Sequence, residues 1–485
     1  MSYDLAALDA TAQAELVRCG AVQPIELVDA AIARIQRLNP QINAVITERF
    51  EKARAEAKRP DLPDGPFRGV PFLLKDIGAH SAGDPFHAGM RFLRDVRWSE
   101  PNDNYLAAKF RAAGFVFLGK TNTPELGLQP TTEPQSYGAS RNPWDLTRST
   151  GGSSGGAAAA VASGMLPAAH ATDGGGSIRI PASVCGLVGL KTTRGRVSLG
   201  PGTGERWGGC AVENCVTRTV RDTAGILDAI AGPMPGDPCW APRPARPFAT
   251  EVGADPGRLR VGLLAHAPSG TAVHADCIAA VEDVGRLLAT LGHDVEPSHP
   301  DGLGDPDMLR SFGMFISCAT ARALDAWSEK TGRTIGASDV EPMTWAVAEL
   351  GRGVSGPQYV RAVCFAQAQT RRVARWWSEG FDLLLTPTVS EPPPPLGTFH
   401  SPPEDPLRGF LRAGSFGAFT STFNTTGQPA ISLPLYWNAQ QLPIGIQLVA
   451  AYGREDLLIR VAAQLEQARP WKDRLPPTFA ASGER

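Results

Sequence analysis

The sequence predicts an α/β protein, on three observations. Short apolar runs of strand length, such as Val70–Leu74, Phe115–Leu118 and Arg260–Leu264, alternate along the chain with segments of helical period. At 485 residues, 42% hydrophobic and 20% charged, the chain can bury a large core. No second class of composition begins anywhere, which favours one domain over 1–485.

Composition excludes several functions. A formal net charge of −2 offers little to nucleic acid or to an anionic membrane. The eight cysteines are scattered without a C-x-x-C pair, so reduced thiols and a cytoplasmic setting are expected. The opening residues M-S-Y-D-L-A-A-L-D-A lack the basic and apolar regions of a signal peptide. The histidines form no H-x-x-x-H or H-x-H pattern, so no metal and no cofactor is expected. Gly151–His170 carries no charge and matches a membrane span in length. Glycine, serine and alanine dominate it and Pro167 interrupts it, so a buried helix in a folded core is expected.

In chain order, residues 4–59 have helical pattern, with a turn at Gly20, a second helix opening at Pro24 and a stop at Asn39-Pro40. Residues 1–65 are expected as an N-terminal helical segment. Asp61–Pro66 is a turn-rich connection, and Val70–Leu74 is a central strand. Residues 103–113 suggest a helix, and Gly114–Thr121 a strand running into a loop. Arg141–Ser149 reads as a polar loop, and Ile178–Leu190 as core. Lys191–Arg196 reads as a solvated basic turn. Arg218–Ile230 is helical, Pro233–Pro247 irregular, and Asp276–Leu291 an amphipathic helix. Residues 303–420 are expected to be a more variable substrate-pocket region, with Phe312, Phe315, Trp327, Trp345 and Tyr359 at core-like spacing. Cys318 has no basic neighbour in sequence and is expected as a buried thiol. Phe381–Thr388, Phe423–Pro434 and Pro443–Val449 supply late strands, and Asp456–Glu466 a closing helix.

Two glycine-serine clusters, Gly151–Gly156 and Gly174–Ser177, flank the alanine-rich run. Such clusters are costly to order, because glycine loses more backbone freedom on folding than any other residue. They serve where backbone must approach something closely, and several N–H groups pointing one way make an anion-binding nest. A serine at the end of such a nest has donors beside its own hydroxyl, as a nucleophile beside an oxyanion hole does. Lys75 closes the apolar run 70–74. Only 8 of the 47 lysines and arginines are lysine, and arginine cannot give up its proton. Lys75 is therefore a candidate base, against the alternative of a packed stem with a solvated ammonium.

Two further motif matches carry less weight. Gly114–Thr121 fits G-x-x-x-x-G-K-[ST], but a phosphate loop needs the strand before its first glycine, and here Phe115–Leu118 is itself the strand. Gly151-Gly-Ser-Ser-Gly155 fits the nucleophile elbow G-x-S-x-G, which must follow a strand. That reading makes Ser153 the nucleophile with His266, His293 or His400 as base, and nothing selects among them.

Lys75, Ser153 and Ser177 together resemble the amidase signature family. The resemblance is carried by G-V-P-F-L-L-K-D (69–76), G-K-T-N-T-P-E (119–125), G-G-S-S-G-G (151–156), D-G-G-G-S-I-R-I-P (173–181) and G-Q-P-A-I-S-L-P (427–434). It implies a central mixed β-sheet flanked by helices on both faces. It also implies that Ser177 is the acyl-accepting nucleophile, Ser153 a bridging serine on a cis peptide, and Lys75 the terminal base. Gly174, Gly175, Gly176 and Ser177 would line the oxyanion hole, with Ser154, Asp173 and Arg179 in support. The implied reaction is hydrolysis of carbon–nitrogen amide bonds in linear or cyclic amides such as 6-aminohexanoate oligomers. Aryl amides, carbamates (urethanes), and the glutamine-amidase subunit of a tRNA-dependent amidotransferase are alternatives. The expected partner is a small-molecule amide, with a homodimer left open. The sequence departs from the family pattern at Lys191-Thr192-Thr193, where proline commonly holds the middle position, and at Gly174, where a larger residue is usual.

Overall fold

The computed structural model describes residues 4–480. Its strands are β1 Val45–Glu48, β2 Pro71–Lys75, β3 Val116–Thr121, β4 Arg141–Asn142, β5 Asp145–Ser149, β6 Ala168–Asp173 and β7 Val188–Lys191. They continue with β8 Val212–Thr217, β9 Arg260–Leu263, β10 Asp294–Pro297, β11 Leu383–Pro387, β12 Ala430–Trp437 and β13 Pro443–Ala450. Eleven of them form one sheet in the order β1-β3-β2-β6-β8-β7-β12-β13-β11-β9-β10, while β4 and β5 pair separately. β2 runs parallel to both β3 and β6, and β6 is antiparallel to β8, so the sheet is mixed.

Helices cover both faces, and strand alternation sorts the side chains between them. Phe72 and Leu74 enter a core that also holds Phe110, Ile226, Val281 and Leu458. Leu73 enters a second core with Ile32, Ile35 and the alanines of the helix Gly155–Ala162. By the same alternation Lys75 falls on the side of Leu73, toward that helix. Every residue of Gly155–Ala162 is buried. Among the described residues no helix is long and apolar enough to cross a membrane.

Three expectations need correction. Residues 4–59 are not helical throughout: between the helices Pro24–Ile42 and Phe50–Ala57 lies β1, antiparallel to β3. Four residues between two helices leave no room for a period to show. The polar loop 141–149 is the hairpin β4–β5, held by Asn142 and Asp145 side chains rather than by an apolar face. The Lys191–Arg196 turn is not a solvated basic turn, for Lys191, Thr192 and Thr193 are fully buried. Lys191 donates to the carbonyls of Thr192 and Gln428, and Arg196 pairs with buried Glu455 at 2.8 Å.

Candidate active site

β2 and β6 are parallel neighbours, so their C-terminal ends open on the same edge of the sheet, where open α/β sheets place their sites. Lys75 is the last residue of β2 and is fully buried. Its Nζ lies 2.7 Å from Ser153 Oγ, 2.9 Å from Ser154 Oγ and 2.8 Å from Thr172 Oγ1. All three contacts are neutral hydroxyls. Burial pushes the amine down from 10.5 to about 7, because an ammonium there would lose its hydration and, among the described residues, touches no carboxylate; the more distant Glu213 and Asp173 offset part of that effect. The Gly155–Ala162 helix begins one residue beyond Ser154, and its positive N-terminal end also disfavours a cation.

The hairpin β4–β5 delivers the first glycine cluster, and the Gly152–Ser153 peptide is cis, in line with the resemblance. Neighbouring threonines pin the segment. Thr123 Oγ1 donates to the Ser153 carbonyl at 2.9 Å. Thr132 Oγ1 donates to the Gly151 carbonyl and accepts from the Gly155 amide. A β-carbon on Gly152 would sit 2.4 Å from the Thr131 carbonyl oxygen, so only glycine fits before Ser153. Ser154 Oγ also contacts the backbone of Thr172, at 3.2 Å to its carbonyl and 3.3 Å to its amide, tying this cluster to β6.

The second cluster is folded around one carboxylate. Asp173 ends β6 and accepts from the Gly176 amide at 2.7 Å and the Ile178 amide at 3.1 Å. Arg179 contacts both of its oxygens, at 3.0 and 2.9 Å, and reaches Gln447 and Asn424. Asn424 returns a bond to Asp173 at 2.8 Å. Burial alone would raise this carboxyl, but Arg179 and these donors hold it well below the usual carboxylate range. Gly176 has φ +134°, a left-handed conformation that a larger residue resists. Its amide is taken by Asp173, so among the described residues the expected oxyanion donors whose amides have no protein acceptor are Gly174, Gly175 and Ser177.

Ser177 opens onto a cavity of about 370 Å³ that Gly152 and Gly175 also line. Its walls include Leu128, Ile180, Trp207, Phe312, Ile316 and Phe410, so residues of 303–420 do border it. Trp207 packs where a β-carbon on Gly174 would lie, 2.6 Å from the ring. The unusual glycine at 174 thus goes with an indole that fills its space.

The structure brings Lys75, Ser153, Ser154 and Asp173 together with Arg179 around two adjoining loops, and sets Ser177 on the cavity wall. Ser177 Oγ makes no hydrogen bond to Ser153 among the described residues. Ser153 Oγ has Lys75 as its partner, while His293 bonds Gln464, which removes the elbow reading with that histidine. A strand, β5, does precede the cluster after all, but it belongs to the small hairpin and not to the central sheet. Cys318 is half-buried rather than buried. Among the described residues no cluster of three His, Cys, Asp or Glu could hold a metal ion.

Sequence reasoning missed Thr172, His170, Glu213, Asn424 and Gln447. His170 left a signal, as a polar residue among the alanines of its strand, whereas Glu213 stands beside Asn214 and left none. Asn424 and Gln447 left none, for their partner Arg179 is 245 and 268 positions away.

An Amidase family model matches residues 26–459. The 6-aminohexanoate-cyclic-dimer hydrolase of Paenarthrobacter ureafaciens is 47% identical over 476 residues, covering 96% of each chain. A solved structure of 6-aminohexanoate cyclic dimer hydrolase superposes with a TM-score of 0.95 at 46% identity, over 98% of this chain and 100% of that one. A bacterial aryl acylamidase of the amidase signature enzymes superposes with a TM-score of 0.86 at 28% identity, over 98% and 99%.

Proposed function

From the premise that this chain belongs to the amidase signature family and is an amidase, we propose that it cleaves carbon–nitrogen amide bonds through Lys75, Ser153 and Ser177. The observation that carries this is the 2.7 Å contact between a fully buried lysine amine, pushed down to about 7 by that burial, and Ser153 Oγ.

Neutral Lys75 takes the Ser153 proton while Ser153 takes that of Ser177. Ser177 Oγ then bonds to the amide carbon, and the carbonyl electrons move onto oxygen. The amides of Gly174, Gly175 and Ser177 are the donors for that charge. On collapse the carbon–nitrogen bond breaks, and the proton on Lys75 returns through Ser153 to the leaving nitrogen. An amide needs this delivery, because a bare amide anion is a very poor leaving group. Water then repeats the sequence at the acyl-enzyme and frees the acid.

An apolar cavity selects uncharged acyl groups. Together with the likeness to 6-aminohexanoate-cyclic-dimer hydrolase, this favours cyclic or linear amides with polymethylene chains. The aromatic walls at Trp207, Phe312 and Phe410, and the likeness to an aryl acylamidase, favour anilides and carbamates as the second reading. Turnover of a cyclic amide dimer, a linear oligomer, an anilide, a carbamate and glutamine separates these. Labelling by a fluorophosphonate should occur at Ser177. An adduct elsewhere, or an active Ser177→Ala variant, would falsify the triad.

A further inference from the structure

We propose that Glu213 and Arg206, which the proton relay does not use, are positioning residues that anchor Lys75 and set the charge balance around its amine. This rests on the reading of Lys75 as the base.

The contacts form a chain. The Lys75 backbone N–H donates to His170 Nδ1 at 3.2 Å. With Nδ1 accepting, the ring proton sits on Nε2, which donates to Glu213 Oε2 at 2.6 Å. The other oxygen of Glu213 is taken by Arg206. His170 is fully buried, and the Glu213 side chain is 2% exposed. Glu213 stands opposite Thr172 in the β6–β8 register, and Thr172 is one of the three hydroxyls on Nζ. The chain thus reaches the base from its backbone and from its side-chain partner.

Space has been left for it. A β-carbon on Gly78 would lie 2.7 Å from Glu213 Oε1 and 2.8 Å from Thr172 Cγ2. Arg206 enters from the glycine-rich loop before β8, where it lines a second cavity of about 690 Å³ with Gly78, on the far side of Trp207.

A carboxylate buried near a base that must be neutral is a liability, because it favours the ammonium. Arg206 offsets it. Glu213 can then hold His170 rigidly without drawing a proton onto Lys75. The charged groups that act on the Lys75 amine are Asp173 on β6, Glu213 on β8 and Arg206 on its loop, with His170 on the Lys75 backbone; Asp76 is its chain neighbour, and Lys120 stands opposite Leu74 on β3. Asp173 is matched by Arg179, and Asp76 and Lys120 offset one another. Burial pushes the His170 imidazole down, and its contact with Glu213 offsets part of that effect. Glu213 and Arg206 act on Lys75 with opposite sign, the first favouring its charged form and the second opposing it.

The test is kcat/KM against pH from 5.5 to 9.5 on one uncharged amide, for wild type, Arg206→Met, Arg206→Lys, Glu213→Gln and Lys75→Ala. Arg206→Met should move the acid limb alkaline by about one pH unit, a loss of about tenfold at pH 6 that disappears by pH 9. Glu213→Gln should move the limb the other way, and Arg206→Lys should restore the wild-type profile. A purely structural role would lower the whole curve without moving it. Unmoved limbs, or limbs displaced in the same direction, with Lys75→Ala inactive, would overturn the inference and leave the base reading standing. An active Lys75→Ala would remove both. If Glu213→Gln does not fold, the two Arg206 variants decide alone.

Discussion

Lys75 and Lys191 occupy matching places. Each is the last residue of a strand, β2 and β7, each is fully buried, and burial pushes each amine down to about 7. Their partners differ. Lys191 donates to the carbonyls of Thr192 and Gln428, at 2.9 and 2.7 Å. A carbonyl oxygen only accepts, and two carbonyls match the two N–H groups of a neutral amine, so this lysine is a fixed strut. Lys75 meets three hydroxyls, each of which can donate as well as accept. One of them belongs to Ser153, whose neighbour Gly152 lines the cavity. Burial favours the neutral form of both amines near neutral pH in the same way. The atoms they touch decide which one can pass a proton on.

The largest break in this pairing should come from Lys75→Ala and Ser177→Ala, each expected to cost about 10³-fold or more in kcat. Circular dichroism should show the fold intact. Lys191→Met should instead leave the pH profile in place and lower stability by about 1–3 kcal/mol, through two carbonyls left without donors. Urea unfolding would read this.

The same lysines set a slope of stability with pH. Folded, each amine loses its proton near 7; unfolded, near 10.5. Between those values the unfolded chain holds protons the folded one lacks, so stability rises with pH, by at most about 1.4 kcal/mol per pH unit per lysine. Between pH 7 and pH 9 the wild type should gain on Lys191→Met. Equal gains in both would separate Lys191 from the titration.

A smaller effect is expected at Gly174→Ala. The added methyl would meet Trp207 at 2.6 Å and push the ring into the cavity. KM should change by about tenfold with kcat less affected, since the disturbance lies in binding. The smallest belongs to Leu411, 69% exposed on the cavity rim. Leu411→Ser should raise KM for apolar amides by about twofold and leave a small polar amide unchanged.

The sequence made Lys75 legible because lysine is scarce and this one closes an apolar run. It made the two serines legible because Ser153 sits inside one glycine cluster and Ser177 ends the other. The sheet's strands were legible where they are apolar, and β1 was lost because it is four residues between two helices. The burial of Lys191 was invisible for another reason. Thr192 and Gln428 compensate it with backbone carbonyls, which every residue carries and no side-chain pattern reveals. The partners of Arg179 were hidden by distance, since only the closure of the sheet through β12 and β13 brings Asn424 and Gln447 to it. The Glu213–Arg206 pair lies seven residues apart in sequence, yet its relation to Lys75 depends on the register of β6 against β8.

The most direct measurement is the titration of the Lys75 amine by nitrogen-15 NMR on protein labelled at lysine, with Lys75→Met assigning the signal among eight lysines. A midpoint near 7, lost in Lys75→Met, is the expected result. An amine that keeps its proton past pH 10 could not draw one from Ser153 at neutral pH, and would contradict the relay from Lys75 to Ser177.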